Sequence, residues 1–144
     1  LLRAYLNAEV RDQLVAGDVL AAQLWATTAQ QAIDASGELA FVYPAEGFPL
    51  YADNAVILRE SRRQELAHRF LDYLLRPEVA AEAVEATKTA TANAGARALL
   101  SEALRANPTL FPPPEVLARG EWFQPLPASA QRLRDRLWTE IKAA

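Results

Sequence analysis

Three short apolar runs, each bounded by turn residues and with a helix-like segment between the first two, constrain this chain more than any other feature. Val19–Trp25 (V-L-A-A-Q-L-W) follows the pair Gly17–Asp18, and Leu39–Tyr43 follows Ser36–Gly37. The third run, from Leu50 through Tyr51 to Leu58, is fed by a Pro/Gly-punctuated turn at Pro44–Gly47. Runs of this length, with Val and aromatic side chains, suit buried or half-buried strands. Before the first, Leu2, Leu6, Val10 and Leu14 recur every four residues, an amphipathic helix that Gly17 would cap. Between the first two, Thr27-Thr-Ala-Gln30 has the form of a capping box and opens a helix through about Ala35. The resulting order, helix–strand–helix–strand–strand and then helices, predicts an α/β fold with helices packed on a small mixed sheet. Three short strands make a thin sheet for so many helices, so partner strands are expected outside the given sequence.

The second half is helical and then proline-rich. Ser61-x-x-Gln64 is another capping-box signal, and Leu66, Phe70 and Leu74 form the stripe expected to be buried on the helix it opens. Pro77 ends that helix and suits the first position of the next, whose Val79, Ala80, Ala83 and Val84 should face inward. Thr87–Gly95 reads as a loop and Ala96–Arg105 as a short helix. Asn107–Gly120 contains Pro108 and the run Pro112–Pro114, so an irregular, extended connection is expected there, continuing to Pro127. Leu133, Leu137 and Ile141 mark a terminal amphipathic helix.

Composition excludes several classes of function. A formal net charge of −3 lacks the basic footprint of a nucleic-acid binder. The absence of Cys removes disulfides, thiolate nucleophiles and Cys-based zinc sites. One histidine, His68, cannot form a His-only metal site and has no Ser or Cys arrangement beside it, so it reads as an ordinary helix residue. No glycine-rich phosphate loop occurs, no carboxylates have calcium-loop spacing, and no cofactor is implied. There is no Met in the sequence and Leu1–Leu2 opens directly on a helical pattern, so the chain reads as a piece of a longer protein.

The residues singled out as candidates lie around the third run. On a strand, Tyr51 and Asp53 share a face, and an aromatic ring beside a carboxylate can hold a small organic cation. Asp53 sits between apolar neighbours, where a carboxylate must reach solvent or a partner. Trp25 ends a predicted strand just ahead of a helix, the edge of a sheet where open α/β folds bind ligands. Core packing accounts equally well for Trp25, and a half-buried strand position for Tyr51. Trp122 and Phe123 read as packing anchors for the proline-rich loop.

The chain resembles the C-terminal part of the periplasmic polyamine-binding proteins, the putrescine/spermidine receptors of ABC importers. The matching landmarks run in order: G-D-V-L-A-A-Q-L-W at Gly17–Trp25, F-V-Y-P-A-E-G at Phe41–Gly47 and L-Y-A-D-N-A-V-I at Leu50–Ile57. F-L-D-Y-L-L-R-P-E-V-A at Phe70–Ala80, T-A-N-A at Thr91–Ala94 and A-L-L-S at Ala98–Ser101 follow. N-P-T-L-F-P-P-P-E-V at Asn107–Val116 and G-E-W at Gly120–Trp122 complete them. The Phe70–Ala80 phrase is common to many solute-binding proteins, whereas the P-x-E-G turn followed by aromatic-x-Asp is more specific to the polyamine branch.

The resemblance implies a type II solute-binding fold, two α/β lobes joined by crossing strands with ligand closed between them. Residues 1–49 would belong to the second lobe, 50–106 to a crossing strand and helices associated with the first lobe, and 107–144 to a proline-rich return and C-terminal helix. The N-terminal lobe would lie outside the sequence, leaving a surface through which the piece could self-associate. Carried over by position, Trp25 and Tyr51 become aromatic walls and Asp53 the ammonium acceptor. Thr89 stands where the family usually has a pocket tyrosine, and Phe123 where it often has glutamine, with Gln124 one residue later. The implied function is a non-enzymatic extracytoplasmic receptor delivering polyamine to an ABC permease. A receptor for another small organic solute and a non-binding interaction fragment are the alternatives.

Overall fold

The computed structural model describes residues 4–143. In chain order its elements are α1 (Val10–Val15), α2 (Ala26–Ala35), β1 (Phe48–Leu50), α3 (Gln64–Leu74), α4 (Pro77–Thr87), α5 (Ala94–Leu99), α6 (Glu102–Arg105), α7 (Pro114–Leu117), β2 (Gly120–Trp122) and α8 (Ala128–Ala143). Helices dominate and one small sheet accompanies them, the mixed α/β content that the element order predicts. The sheet itself is a parallel pair, β1 with β2, rather than a mixed one, with Phe48 opposite Gly120, Pro49 opposite Glu121 and Leu50 opposite Trp122. Pro49 is tolerated because each strand of a two-stranded sheet has a free edge, where a missing N–H breaks no ladder bond.

The helix boundaries follow local chemistry. Gly17, at φ +77°, takes the left-handed position just after α1, as its reading as a cap requires. The helix starts later than predicted, at Val10, and Leu2 lies outside the described residues. Pro77 occupies the first turn of α4. Asn93 caps α5 by accepting the Ala96 N–H at 3.1 Å, while its amide donates to the Leu75 carbonyl at 2.8 Å and ties α5 back to the end of α3. The helix predicted over Ala96–Arg105 is instead two short ones, because Ser101 turns extended and caps α6 through the Leu104 N–H.

Both capping boxes are displaced. Trp25 is the N-cap residue of α2 and makes no side-chain cap, which leaves Thr27 inside the helix. Gln30, nearly fully buried, turns away from the helix start: its amide donates to Asp34 Oδ1 at 2.7 Å and its carbonyl oxygen accepts from Asn107 Nδ2 at 2.9 Å. Ser61 accepts the Arg63 N–H and Gln64 donates to the Arg59 carbonyl, so α3 begins three residues after the predicted cap.

The core is built where α4, α5, α6 and the proline-rich segment meet. Ala81, Val84, Ala96, Leu100, Leu104 and Leu110 are buried together, with Ala80 and Phe111 packed against them. Ala96 is completely buried, and small residues there let the helices approach closely. Val84 and Ala80 face inward as predicted; Ala81, rather than Ala83, completes the face. Arg97 lies over the Phe111 ring at 4.6 Å, holding the proline-rich segment to α5.

Two predictions fail for one reason. Val19–Trp25 and Leu39–Tyr43 join no strand pair among the described residues, and Leu20 is 98% exposed. A strand needs a neighbour to receive its N–H and C=O groups, and none is present there. The stripe on α3 is likewise uncovered: Leu66 and Phe70 are each 59% exposed and Leu74 is 40% exposed. On α8, Leu133, Leu137, Trp138 and Ile141 are all about half exposed, with Tyr5 meeting the Trp138 ring edge-on at 4.9 Å.

Candidate functional site

The site grows from a polar tether and a strand pair. Asn107 folds the start of the proline-rich segment into a turn, its Oδ1 accepting the N–H groups of Thr109 at 2.9 Å and Leu110 at 3.3 Å. The same side chain donates to buried Gln30, which fixes this turn to α2. Thr109, also buried, accepts the Tyr43 hydroxyl at its carbonyl at 2.8 Å. Tyr43 contacts Phe41 and Phe48, with ring centroids 4.9 and 4.5 Å apart. Burial raises the Tyr43 pKa above the ordinary phenol value of 10.0, and the neighbouring Tyr51 adds to the shift. One network thus holds α2, the segment entering β1 and the proline-rich turn together.

Gly47 then admits the chain to β1. It sits at φ +119°, and a Cβ there would lie 2.9 Å from the Arg119 carbonyl oxygen, so a side chain is excluded by both conformation and space. Gly120 plays the matching part in β2, where the Leu50 side chain covers the position a Cβ would take. The parallel register sets Tyr51, one residue past β1, next to the end of β2. Leu50, Tyr51, Pro114, Leu117, Ala118, Gly120 and Trp122 line an open groove of about 610 Å³ there.

Trp25 and Tyr51, far apart in sequence, meet edge-to-face with ring centroids 4.7 Å apart at an interplanar angle of 69°. Trp25 holds its backbone extended (ψ 142°) as the residue before α2, and its indole N–H donates to Asn7 Oδ1 at 3.1 Å. Both rings stay open, at 43% and 42% exposure, so an aromatic surface is presented to solvent rather than consumed in the core. Thr89 lies at the same end of α2: the Thr27 hydroxyl donates to the Thr89 hydroxyl at 3.4 Å, and the Thr89 N–H donates to Thr87 Oγ1 at 3.2 Å.

Asp53 is exposed, two residues beyond Tyr51. The segment from Tyr51 to Leu58 is not a strand here: β1 ends at Leu50, and among the described residues no partner strand extends the ladder. The shared face of Tyr51 and Asp53 therefore follows only from the expected strand geometry. Among the described residues Asp53 forms no ion pair. Gln124 is exposed, two residues beyond the end of β2. The structure thus joins Trp25 to Tyr51 directly, sets Thr89 beside the first turn of α2, and puts Asp53 and Gln124 on the two segments leaving the parallel pair.

Three residues of the site escape a reading of the sequence. Asn7 belongs to an N-A-E turn ahead of a helix, a pattern that signals local side-chain-to-backbone bonding, but its contact with Trp25 is non-local. Tyr43 reads as a strand aromatic, and nothing local announces the Thr109 carbonyl. Trp122 looks like a packing anchor, yet it is 58% exposed and lines the groove with Tyr51. Among the described residues no group of His, Cys, Asp or Glu side chains is arranged to hold a metal ion.

These features sit within a family pattern. Residues 6–112 match the family described as bacterial extracellular solute-binding protein, and the chain belongs to that family. It is 30% identical over 148 residues to the putrescine-binding periplasmic protein PotF of Escherichia coli, covering 99% of this chain and 40% of that protein. Against the putrescine-binding periplasmic protein SpuD of Pseudomonas aeruginosa it is 36% identical over 100 residues, 69% of this chain and 27% of that protein. With the spermidine/putrescine-binding periplasmic protein of Escherichia coli it shares 31% identity over 127 residues, 88% of this chain and 36% of that one. The chain thus spans no more than about two-fifths of the length of these curated relatives. No helix among the described residues is long and apolar enough to cross a membrane.

Proposed function

We propose that this chain is part of an extracytoplasmic receptor that binds polyamines, putrescine or spermidine, and delivers them to an ABC permease. The observation that carries this reading is the open Trp25–Tyr51 pair, its rings 4.7 Å apart, with the exposed Asp53 two residues on. Polyamines are ammonium groups separated by methylene chains, and this surface offers what each part needs. An indole or phenol face attracts an ammonium for about 0.5–2 kcal/mol and packs against methylenes. A carboxylate accepts a charge-assisted hydrogen bond for about 1.5–3 kcal/mol. The names of the relatives point to the same ligands and to the periplasm.

In this reading Thr89 and Gln124 are secondary ligand contacts. Residues 1–49 belong to the second lobe, 50–106 supply the crossing segment and helices that meet the first lobe, and 107–144 return. The uncovered faces of α3 and α8 are where the remaining lobe packs, and a second copy of the chain would compete for them. In this reading the role is binding rather than turnover.

Calorimetry on the complete two-lobe receptor tests the reading, with putrescine, spermidine and an unrelated amino acid as titrants. Heat with a polyamine alone supports it, and silence with both polyamines refutes it. Heat with a different organic solute instead would assign the site to that solute. In the same assay Asp53→Ala should weaken polyamine binding by about tenfold or more, on the order of 1.4 kcal/mol. An unchanged affinity removes Asp53 from the site.

A further inference from the structure

We infer that Asn7 is the positioning residue of the aromatic surface: it fixes the Trp25 indole and, by occupying its only donor, tunes the site toward cations. The inference deepens the polyamine reading and rests on it for the ligand class. Asn7 is held by its backbone: its N–H donates to Glu9 Oε2 at 3.1 Å, and its carbonyl accepts the Val10 N–H at 3.3 Å. Arg11 N–H closes the same turn onto the Ala8 carbonyl at 3.1 Å. From this clamped turn the Asn7 side chain reaches Trp25, whose N–H it accepts at 3.1 Å.

A tryptophan carries one hydrogen-bond donor and no acceptor. With that donor engaged at Asn7 and its ring edge-to-face with Tyr51, the indole is restrained by two separate contacts. What remains for a ligand is π-face and C–H edge. That surface attracts ammonium groups and methylenes and has nothing to offer a carboxylate oxygen. Were the N–H free, the same tryptophan would present a donor suited to carboxylate, and discrimination between a diamine and an amino acid of equal length would fall. Fixing the ring in advance also removes side-chain ordering from the cost of binding.

The experiment uses the complete receptor carrying this sequence, with putrescine and 4-aminobutanoate, which differ by a carboxylate in place of one ammonium. The indole N–H resonance of Trp25 is followed in the ligand-free protein, and both affinities are measured by calorimetry. In Asn7→Ala the resonance should move to the position of a water-exposed indole. Putrescine affinity should fall about tenfold, and the preference for putrescine over 4-aminobutanoate should narrow by a similar factor. Asn7→Asp keeps an acceptor at the same reach and should restore both the resonance and the preference. An Asn7→Ala protein with an unmoved resonance, or with a moved resonance and unchanged preference, overturns the inference. So does a loss of thermal stability shared by Asn7→Ala and Asn7→Asp with no change in preference, which is what a purely structural role would give. If the wild-type receptor binds neither putrescine nor spermidine, the polyamine reading fails, and the resonance still decides whether Asn7 positions Trp25.

Discussion

Replacing Gly47 by alanine probes how the strand pair, and with it Tyr51, is put in place. Gly47 stands at φ +119°, a conformation that L side chains rarely adopt, and forcing alanine into it costs about 1–3 kcal/mol. The new Cβ would also fall 2.9 Å from the Arg119 carbonyl oxygen, a backbone atom at the entry to β2 that cannot swing aside as a side chain would. Relieving that contact separates the strands or bends one of them, adding about 1 kcal/mol or more, so the whole change should cost about 2–4 kcal/mol. Two glycines serve as internal standards. Gly17 has a positive φ of 77° but nothing within 4 Å, so Gly17→Ala should cost only the strain, about 1–2 kcal/mol. Gly37 meets nothing within 4 Å and has no positive φ, so Gly37→Ala should stay within about 0.5 kcal/mol of wild type. Urea unfolding followed by tryptophan fluorescence and circular dichroism gives the three values, with constant m confirming that only stability changed. If Gly47→Ala costs no more than Gly17→Ala, the Arg119 contact is not a constraint and the account of how β1 and β2 are seated is wrong.

Two further outcomes test the core and the tether. Leu100→Ala removes a side chain that is only 4% exposed from the α4–α6 cluster and should destabilise by about 2–5 kcal/mol, read from the urea midpoint. Tyr43 has a raised pKa, so its phenol stays protonated in the folded state when the unfolded chain has begun to ionise. The stabilisation from that protonated phenol is complete below the ordinary value and is lost as pH rises through the folded value. Tyr43→Phe should therefore lower stability at neutral pH by about 0.5–1.5 kcal/mol and flatten its alkaline decline above about pH 10, and a wild-type slope in the variant would refute this.

The helices were legible because their signals are local. Pro77 at the first turn of α4, Gly17 after α1 and the spacing of α8 each act within a few residues, and each is realised. Strands depend on a partner that the local sequence does not name. Val19–Trp25 has the composition of a strand and lacks a neighbour among the described residues, whereas Gly120–Trp122 sits in proline-rich surroundings and pairs with Phe48–Leu50 across half of the chain. Periodicity found the apolar face of α3 correctly, but it cannot say whether anything covers Leu66 and Phe70. The first capping box failed where a tertiary partner won: Gln30 bonds to Asn107, a residue remote in sequence, in place of its own helix start, whereas at the second Ser61 and Gln64 bond locally to Arg63 and Arg59. The candidate site shows the same division. Trp25 and Tyr51 were each identifiable as aromatic candidates, but their contact and the role of Asn7 exist only after folding.

The exposure of the aromatic pair bears on how such a site reaches useful affinity. One ring contributes about 0.5–2 kcal/mol and one charge-assisted hydrogen bond about 1.5–3 kcal/mol. Trp25, Tyr51 and Asp53 together could then supply at most about 7 kcal/mol, and micromolar binding requires about 8.2 kcal/mol after the costs of immobilising the ligand are met. With both rings more than two-fifths open to water, the lower ends of those ranges apply, because solvent screens the ammonium as well as the carboxylate. In the proposed reading Trp25, Tyr51 and Asp53 therefore form half of a site whose affinity depends on a second wall that excludes water. A half-site of this kind works by being fixed before the ligand arrives. In that reading the Asn7 clamp on Trp25, the Gly47 entry to β1 and the Gln30–Asn107–Thr109–Tyr43 tether would order the site in advance, so that closure would spend its energy on contact rather than on ordering.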